Sequence, residues 1–186
     1  MGERFLPLNG NYRNLIVFKK AECIYDVTFY FANNFLTKSD RTIDQMIQAA
    51  RSGRQNIAEG SAASVTSSET EIKLINVARA SLQELLLDYE DYLRVRNMEK
   101  WNINDYRSRQ TRRACSQHND SEYFVDAIKK RKPETIANIA ITLIHQTDVL
   151  LRKLIDRLQD DFVKTGGIKE AMMQARRDYR KKNLGY

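Results

Sequence analysis

The chain has 186 residues, with 31 Lys and Arg against 24 Asp and Glu and a formal net charge of +7. A hydrophobic fraction of 42% and a charged fraction of 30% argue against a membrane-embedded or wholly disordered chain and suit one domain, with or without an appendage. Only seven glycines and two prolines interrupt it, so long helices with few turns are expected.

Residues 1–14 read as an irregular lead-in. They lack the apolar run of a signal peptide, and Leu6 stands where a myristoylation motif needs Ser or Thr. A first helix is expected over residues 15–36, because Ala21, Ile24, Tyr25, Thr28, Phe31, Ala32 and Phe35 recur at spacings of three and four. Phe18, Phe29 and Tyr30 fall off that stripe and suit either a second packing face or a neighbouring subunit. Residues 37–40 form a polar break, followed by a second helix over 41–63 with Ile43, Met46, Ile47, Ala50, Gly53 and Ile57 inward. Glycine inside a helix costs on the order of 1 kcal/mol against alanine, so Gly53 implies close packing. Gly60 is placed near the end of this helix, where glycine tolerates positive φ.

Ser68-Glu69-Thr70-Glu71 matches a capping box and opens a third helix reaching about residue 96. Its stripe is Ile72, Ile75, Ala78, Leu82, Leu85, Leu86, Tyr89 and Leu93. Residues 97–132 then interrupt the pattern. A short helix is expected over 105–115, capped by Asn104, and another over 121–132. Pro133 suits the first turn of a long fourth helix over 134–164, with Ile136, Ile139, Ala140, Leu143, Thr147, Leu150, Leu151, Leu154, Leu158 and Phe162 as its stripe. The uninterrupted apolar run at 136–144 is too short to span a bilayer. Gly166-Gly167 ends the helix. In the tail, Ile168, Met172, Ala175 and Tyr179 fall on one helical line, which is expected to dock on the bundle or on a neighbouring subunit.

The charge is segregated along this plan. Residues 1–96 hold 12 basic and 12 acidic side chains, 97–132 nine and five, 133–165 four and five, and 166–186 six and two. A neutral scaffold at 15–165 with a basic insert at 97–132 and a basic tail at 166–186 points to a polyanionic partner. The alternative is that Lys and Arg merely solvate exposed helices. The candidate nucleic-acid contacts are Arg107, Arg109, Arg112 and Arg113 in the first insert helix. Lys129, Lys130, Arg131 and Lys132 follow at the end of the second, where the helix dipole also favours cations. Arg176, Arg177, Arg180 and Lys181 complete the set in the tail. Such residues neutralise phosphates without reading sequence. Trp101, Tyr106, Tyr123 and Phe124 stand nearby, either to stack on bases or to anchor the insert.

Motifs that carry catalysis are missing from the sequence. There is no phosphate-binding glycine loop or dinucleotide fingerprint, and no Glu-x-x-His pair of the di-iron bundles. His145 and Asp148, one turn apart, supply only two ligands. Glu84, Asp88 and Asp91 share a helix face with no partner histidine and suit ion pairs, with Arg79 and Arg94 as candidates. Ser81 and Cys115 have no base beside them in sequence. Cys23 and Cys115 are far apart and read as free thiols of a reducing, cytoplasmic compartment. No cofactor, metal or catalytic residue is therefore expected.

Asn56-Ile57-Ala58-Glu59-Gly60, followed by Ala78-Arg79-Ala80-Ser81-Leu82-Gln83-Glu84, resembles a family of small bacterial four-helix bundles. That family includes proteins encoded by intervening sequences of large-subunit ribosomal RNA genes and the accessory variability determinants of diversity-generating retroelements. Three positions depart from its pattern: Gly53-Arg54 stands where an Ile-Pro pair is usual, and Ala80 where Gly is common. The insert and the tail resemble a subgroup with a C-terminal suffix. The resemblance implies an up-and-down four-helix bundle and a homopentamer, with Gly53, Asn56, Ile57, Ala58, Glu59, Gly60, Ser81 and Glu84 serving packing and subunit contact. It also implies binding to nucleic acid and to a reverse transcriptase. The expectation is thus a non-enzymatic oligomeric nucleic-acid-binding protein. Its competitors are a protein-interaction scaffold and an enzyme whose site forms between subunits.

Overall fold

The computed structural model describes residues 11–37 and 41–184. Most of the expected lead-in, and residues 38–40 of the first break, lie outside the described residues. After a 3-10 turn at Tyr12–Asn14 come α1 (Ile16–Phe35), α2 (Thr42–Ala63), α3 (Ser68–Val95), α4 (Tyr106–Gln117), α5 (Ser121–Ile128), α6 (Pro133–Thr165) and α7 (Ile168–Leu184). The fold is an all-α helical bundle, with no strand among the described residues. No described helix is long and apolar enough to cross a membrane.

The four long helices close around one core, with α1 against α2 and α6, α2 against α3, and α3 against α6. The stripes read from the sequence face that core. Ile24, Phe31, Met46, Ile57, Ile75, Leu82, Leu85, Tyr89, Ile136, Leu143 and Leu151 are fully buried. A buried polar link, the Tyr89 hydroxyl donating to Thr28 Oγ1 at 3.0 Å, ties α3 to α1. Burial also pushes the Tyr89 hydroxyl pKa up, so the phenol stays protonated and keeps its donor role.

Helix ends follow local chemistry, with three corrections. The cap of α3 is Ser67, one residue before the expected Ser68, because Ser67 is extended and its Oγ accepts from Thr70 N at 3.1 Å. The cap of α4 is Asp105 and not Asn104, since its carboxylate accepts from Arg107 N at 2.7 Å. Gly60 lies near the end of α2 as expected, but without the positive φ, which among the described glycines Gly166 has. The helix continues to Ala63, and Ser64 N bonds Gly60 O at 3.0 Å. Gly166, by contrast, has the left-handed φ of 72° and stops α6 as expected.

Helix α1 is buried on more than one face. Val17, Phe18, Lys20, Cys23 and Val27 join the expected stripe, because α5 of the insert packs along α1. Tyr30 donates to Lys129 O at 3.3 Å, and Ser121 Oγ pairs with the Asp26 carboxylate. Phe29 stays exposed. In the same way α4 covers the first half of α6, burying Ala137, Asn138 and Ile141 beside its stripe.

The far end of α6 departs from expectation. At 33 residues it outruns α1 and α2, with 20 and 22, so its last turns have no helix to pack on. Phe162, expected in the core, is exposed together with Val163. The tail helix α7 does not bury its apolar line against the bundle either, for Met172 and Tyr179 remain 43% and 67% exposed. The side chain of Ile168 lies outside the described residues.

The tightest approach is between α2 and α3. A Cβ placed on Gly53 would sit 2.7 Å from Leu82 Cδ2 and 2.8 Å from Leu82 Cγ. Rotating the terminal methyls cannot relieve a clash with Cγ. At Gly60 the nearest atom is the Ile75 Cδ1 methyl at 3.2 Å, which yields with a small shift. Gly53→Ala should therefore lower stability by up to about 2 kcal/mol, the overpacking cost of about 1–3 kcal/mol being partly offset by a gain in helix propensity of about 1 kcal/mol. Gly60→Ala should be close to neutral. Urea denaturation of the two variants checks this, and a stabilised Gly53→Ala would contradict the close-contact account.

Candidate nucleic-acid interface

The insert is not a loose arm. Its apolar anchors Cys115, Phe124 and Ile128 are fully buried, and a lysine from the bundle holds it. Lys20 on α1 is itself buried, and its ammonium donates to Cys115 O and, at 2.6 Å, to His118 O. These carbonyls close the C-terminal end of α4, where unpaired acceptors and the negative dipole end suit a cation. Lys20 forms no salt bridge among the described residues. It lies 5.7 Å from the Phe124 ring centroid, and burial lowers its pKa. Nothing in the sequence expectations singles out Lys20. The only local signal was its place between Val17 and Ala21, beside the apolar stripe.

Tertiary structure sorts the expected basic contacts into two groups. Arg107 is engaged by carboxylates, with Asp105 at 2.6 Å and Glu99 at 2.8 Å, and it also lies over the Trp101 ring at 5.1 Å. Its hydrogen bonds hold the Asp105 carboxyl below the usual range. Lys129 is held by Asp126 at 2.7 Å. Both cations, expected as phosphate contacts, are thus paired with carboxylates of the same chain while staying exposed. Arg109, Arg113, Lys130, Arg131, Lys132, Arg176, Arg177, Arg180 and Lys181 are exposed, and Arg112 half-buried. None of these ten forms a salt bridge among the described residues.

The free cations do not form one cluster. Lys130–Lys132 lie at the entrance of α6, and the α7 residues lie beyond its exit. A helix of 33 residues puts about 50 Å between its own two ends at 1.5 Å per residue. Helix α4 stands between, since Gln146 Nε2 donates to Arg112 O at 2.8 Å, about 20 Å along α6 from its start. A duplex touching both ends would span about 15 base pairs at 3.4 Å each.

The rings are mostly structural. Phe124 is core, and Tyr123 stacks on His118 with centroids 3.6 Å apart. Asn138 pins the Trp101 backbone, accepting from its N at 2.8 Å. Tyr106 alone stands well exposed, which leaves little surface for base stacking.

Among the packing-signature residues, Gly53, Ile57, Gly60 and Ser81 are buried between α2 and α3. Asn56 Nδ2 donates to Ser52 O at 2.9 Å, and Ser52 Oγ pairs with Ser81 Oγ at 2.9 Å. Ser52, absent from the sequence expectations, is thus the hinge of that polar link. Ala58 is half-buried against the core. Glu59 and Glu84 are exposed and take no part in this packing within one chain.

The weak catalytic candidates separate. Asp148 is clamped by Arg79 at 2.7 Å and Arg152 at 3.0 Å, while His145 is exposed. Arg79 is therefore not the partner of the α3 carboxylates. Asp91 pairs with Arg94 at 2.8 Å, and Glu84 and Asp88 form no salt bridge among the described residues. No group of three or more metal-binding side chains occurs among the described residues. Both thiols are fully buried, which pushes each pKa from 9.0 up to about 12. No family model, curated protein or solved structure matches the chain.

The thiols give a direct check on this burial. Cys23 and Cys115 should resist a disulfide reagent at pH 8 in the native protein and both react in guanidinium. Each thiol holds its proton to higher pH folded than unfolded, so stability should fall as pH rises from about 9 toward 12, by at most about 1.4 kcal/mol per unit for each cysteine. Lys20 works the opposite way up to 10.5, and the two thiols outweigh the one amine. A rapid native reaction at pH 8 would contradict the buried arrangement.

Proposed function

We propose that this protein is a non-enzymatic, nucleic-acid-binding helical bundle that works as a homo-oligomer in the cytoplasm. The observation that carries the reading is the set of exposed cations without carboxylate partners, Lys130–Lys132 at one end of α6 and the α7 residues at the other, on a charge-balanced core. Phosphates would supply the missing counter-charge. The resemblance to bundles of the retroelement accessory class supports the same reading and makes a reverse transcriptase the first partner to test. Two buried thiols suit a reducing compartment.

A second reading, a protein-interaction scaffold, has its own support. Met172, Met173 and Tyr179 leave α7 with uncovered apolar surface. On the α2–α3 face, Asp44, Glu84 and Asp88 line an open groove of about 590 Å³, where burial raises the Asp88 pKa. A basic amphipathic helix and an acidic groove are complementary in sign, as a contact between different faces of two copies requires.

Fluorescence anisotropy with labelled RNA and DNA at rising salt separates the readings. Binding should weaken steeply with salt, log K falling by about 0.9 per neutralised phosphate for duplex DNA. Reversing Lys130, Arg131, Lys132, Arg176 and Arg177 to Glu should weaken it by at least about a hundredfold and flatten the slope. Arg107→Ala should change affinity little. Salt-independent binding, or full affinity in the reversed variant, would reject the nucleic-acid reading. Partners that survive nuclease treatment in a pull-down would favour the scaffold.

A further inference from the structure

A cavity of about 770 Å³ opens between α1, α4, the segment at residues 100–103 and α6, a size within the range of small-molecule sites, about 300–1,000 Å³. Its wall is mainly apolar. Ile16 and Ile103, 53% and 68% exposed, are large side chains that would gain from cover, and both face this cavity with Ile141, Val149 and Trp101. A closed core would not leave such residues at its edge.

The polar part of the wall has an excess of positive charge. Lys20, Lys100, Arg112 and Arg152 line it against the single carboxylate of Asp148. Asp148 is already shared by Arg152 and Arg79, and Lys100 is paired with Glu90 outside the wall. Arg112 has no carboxylate partner among the described residues, and Lys20 donates to backbone carbonyls. A further polar group faces the same space, for Asn119 lines the cavity and its Oδ1 is buried without a hydrogen-bond partner. An unpaired buried acceptor is costly unless something donates to it.

We propose that this cavity binds a small amphipathic organic anion, with its apolar body against Ile141, Val149 and Trp101 and its acidic group toward Arg112. A hydroxyl or amide donor on the same molecule would satisfy Asn119. The site is separate from the exposed cations proposed to meet nucleic acid, Lys130–Lys132 and the α7 residues, and does not depend on that reading.

Trp101 is the only tryptophan, so its emission reports on the wall directly. The probes are 1-anilinonaphthalene-8-sulfonate for the full-length chain, then decanoate, decanol and decylamine as competitors of equal chain length. Saturable dye binding that perturbs Trp101, with displacement by decanoate at least about tenfold stronger than by decanol or decylamine, is the expected result. Arg112→Gln should weaken decanoate by about tenfold while the melting temperature stays near that of the unaltered protein. Thr142→Phe fills the cavity from α6 without changing charge and should abolish binding; Thr142 bonds only Asn138 O of its own helix, at 2.8 Å. Full dye binding in Thr142→Phe, or equal displacement by decanol, would overturn the proposal. So would displacement of decanoate by a single-stranded oligonucleotide, or dye binding only after removal of residues 1–10, which would assign the cavity to nucleic acid or to the chain's own leading segment.

Discussion

One buried amine determines how the insert meets the bundle. Lys20 reaches from α1 to the last carbonyls of α4, joining residues separated by more than ninety positions in sequence. Removing a lysine from water is expensive unless its protons find acceptors, and here the end of a helix supplies them. The contact fixes the end of α4, while Phe124 and Ile128 seat α5 on α1. Together they settle which arginines face water and leave the cavity between α4 and α6. The bundle thus contains two layers of order, a core of four long helices and a shorter pair strapped to α1 and α6.

Charge balance along the chain and charge balance in space are different properties. The insert is strongly basic as a sequence, yet Asp105, Glu99 and Asp126 engage Arg107 and Lys129. Exposed pairs of this kind contribute little stability, and a phosphate drawn to these cations would compete with their carboxylates. The opposite holds at the ends of α6. There, Lys130–Lys132 and the basic residues of α7 form no salt bridge among the described residues because these stretches are locally poor in acidic residues, so the basic surface is a property of the bundle's ends. Its middle, near α4, offers an apolar wall edged by Arg112.

The helices were legible because their signal is local. A side chain's place on a helix face depends on neighbours three and four residues away, so the buried stripes of α1, α2, α3 and the first half of α6 follow from spacing alone. The close approach at Gly53 was legible too, as a helix-interior glycine with a cost needing a reason. Caps shifted by one residue because Ser67 and Ser68, or Asn104 and Asp105, carry equivalent chemistry and only the backbone angle chooses between them. The candidate site was legible in residue type but not in availability. Asp105 lies within local reach of both Arg107 and Arg109, and only the structure gives it to Arg107; nothing around Lys20 marks it as buried.

The sequence by itself determined a helical, charge-segregated chain, its core stripes, its glycine stop after α6 and the list of cations worth considering. Tertiary structure alone decided that α5 covers α1, that Phe162 and the apolar side of α7 stay uncovered, and that Asp148 belongs to Arg79 and Arg152. The physical reason is range. Helix formation and amphipathicity are written within a turn or two, whereas ion pairing, burial of a lone amine and the opening of a cavity depend on which distant segments the packed core brings within a few ångströms.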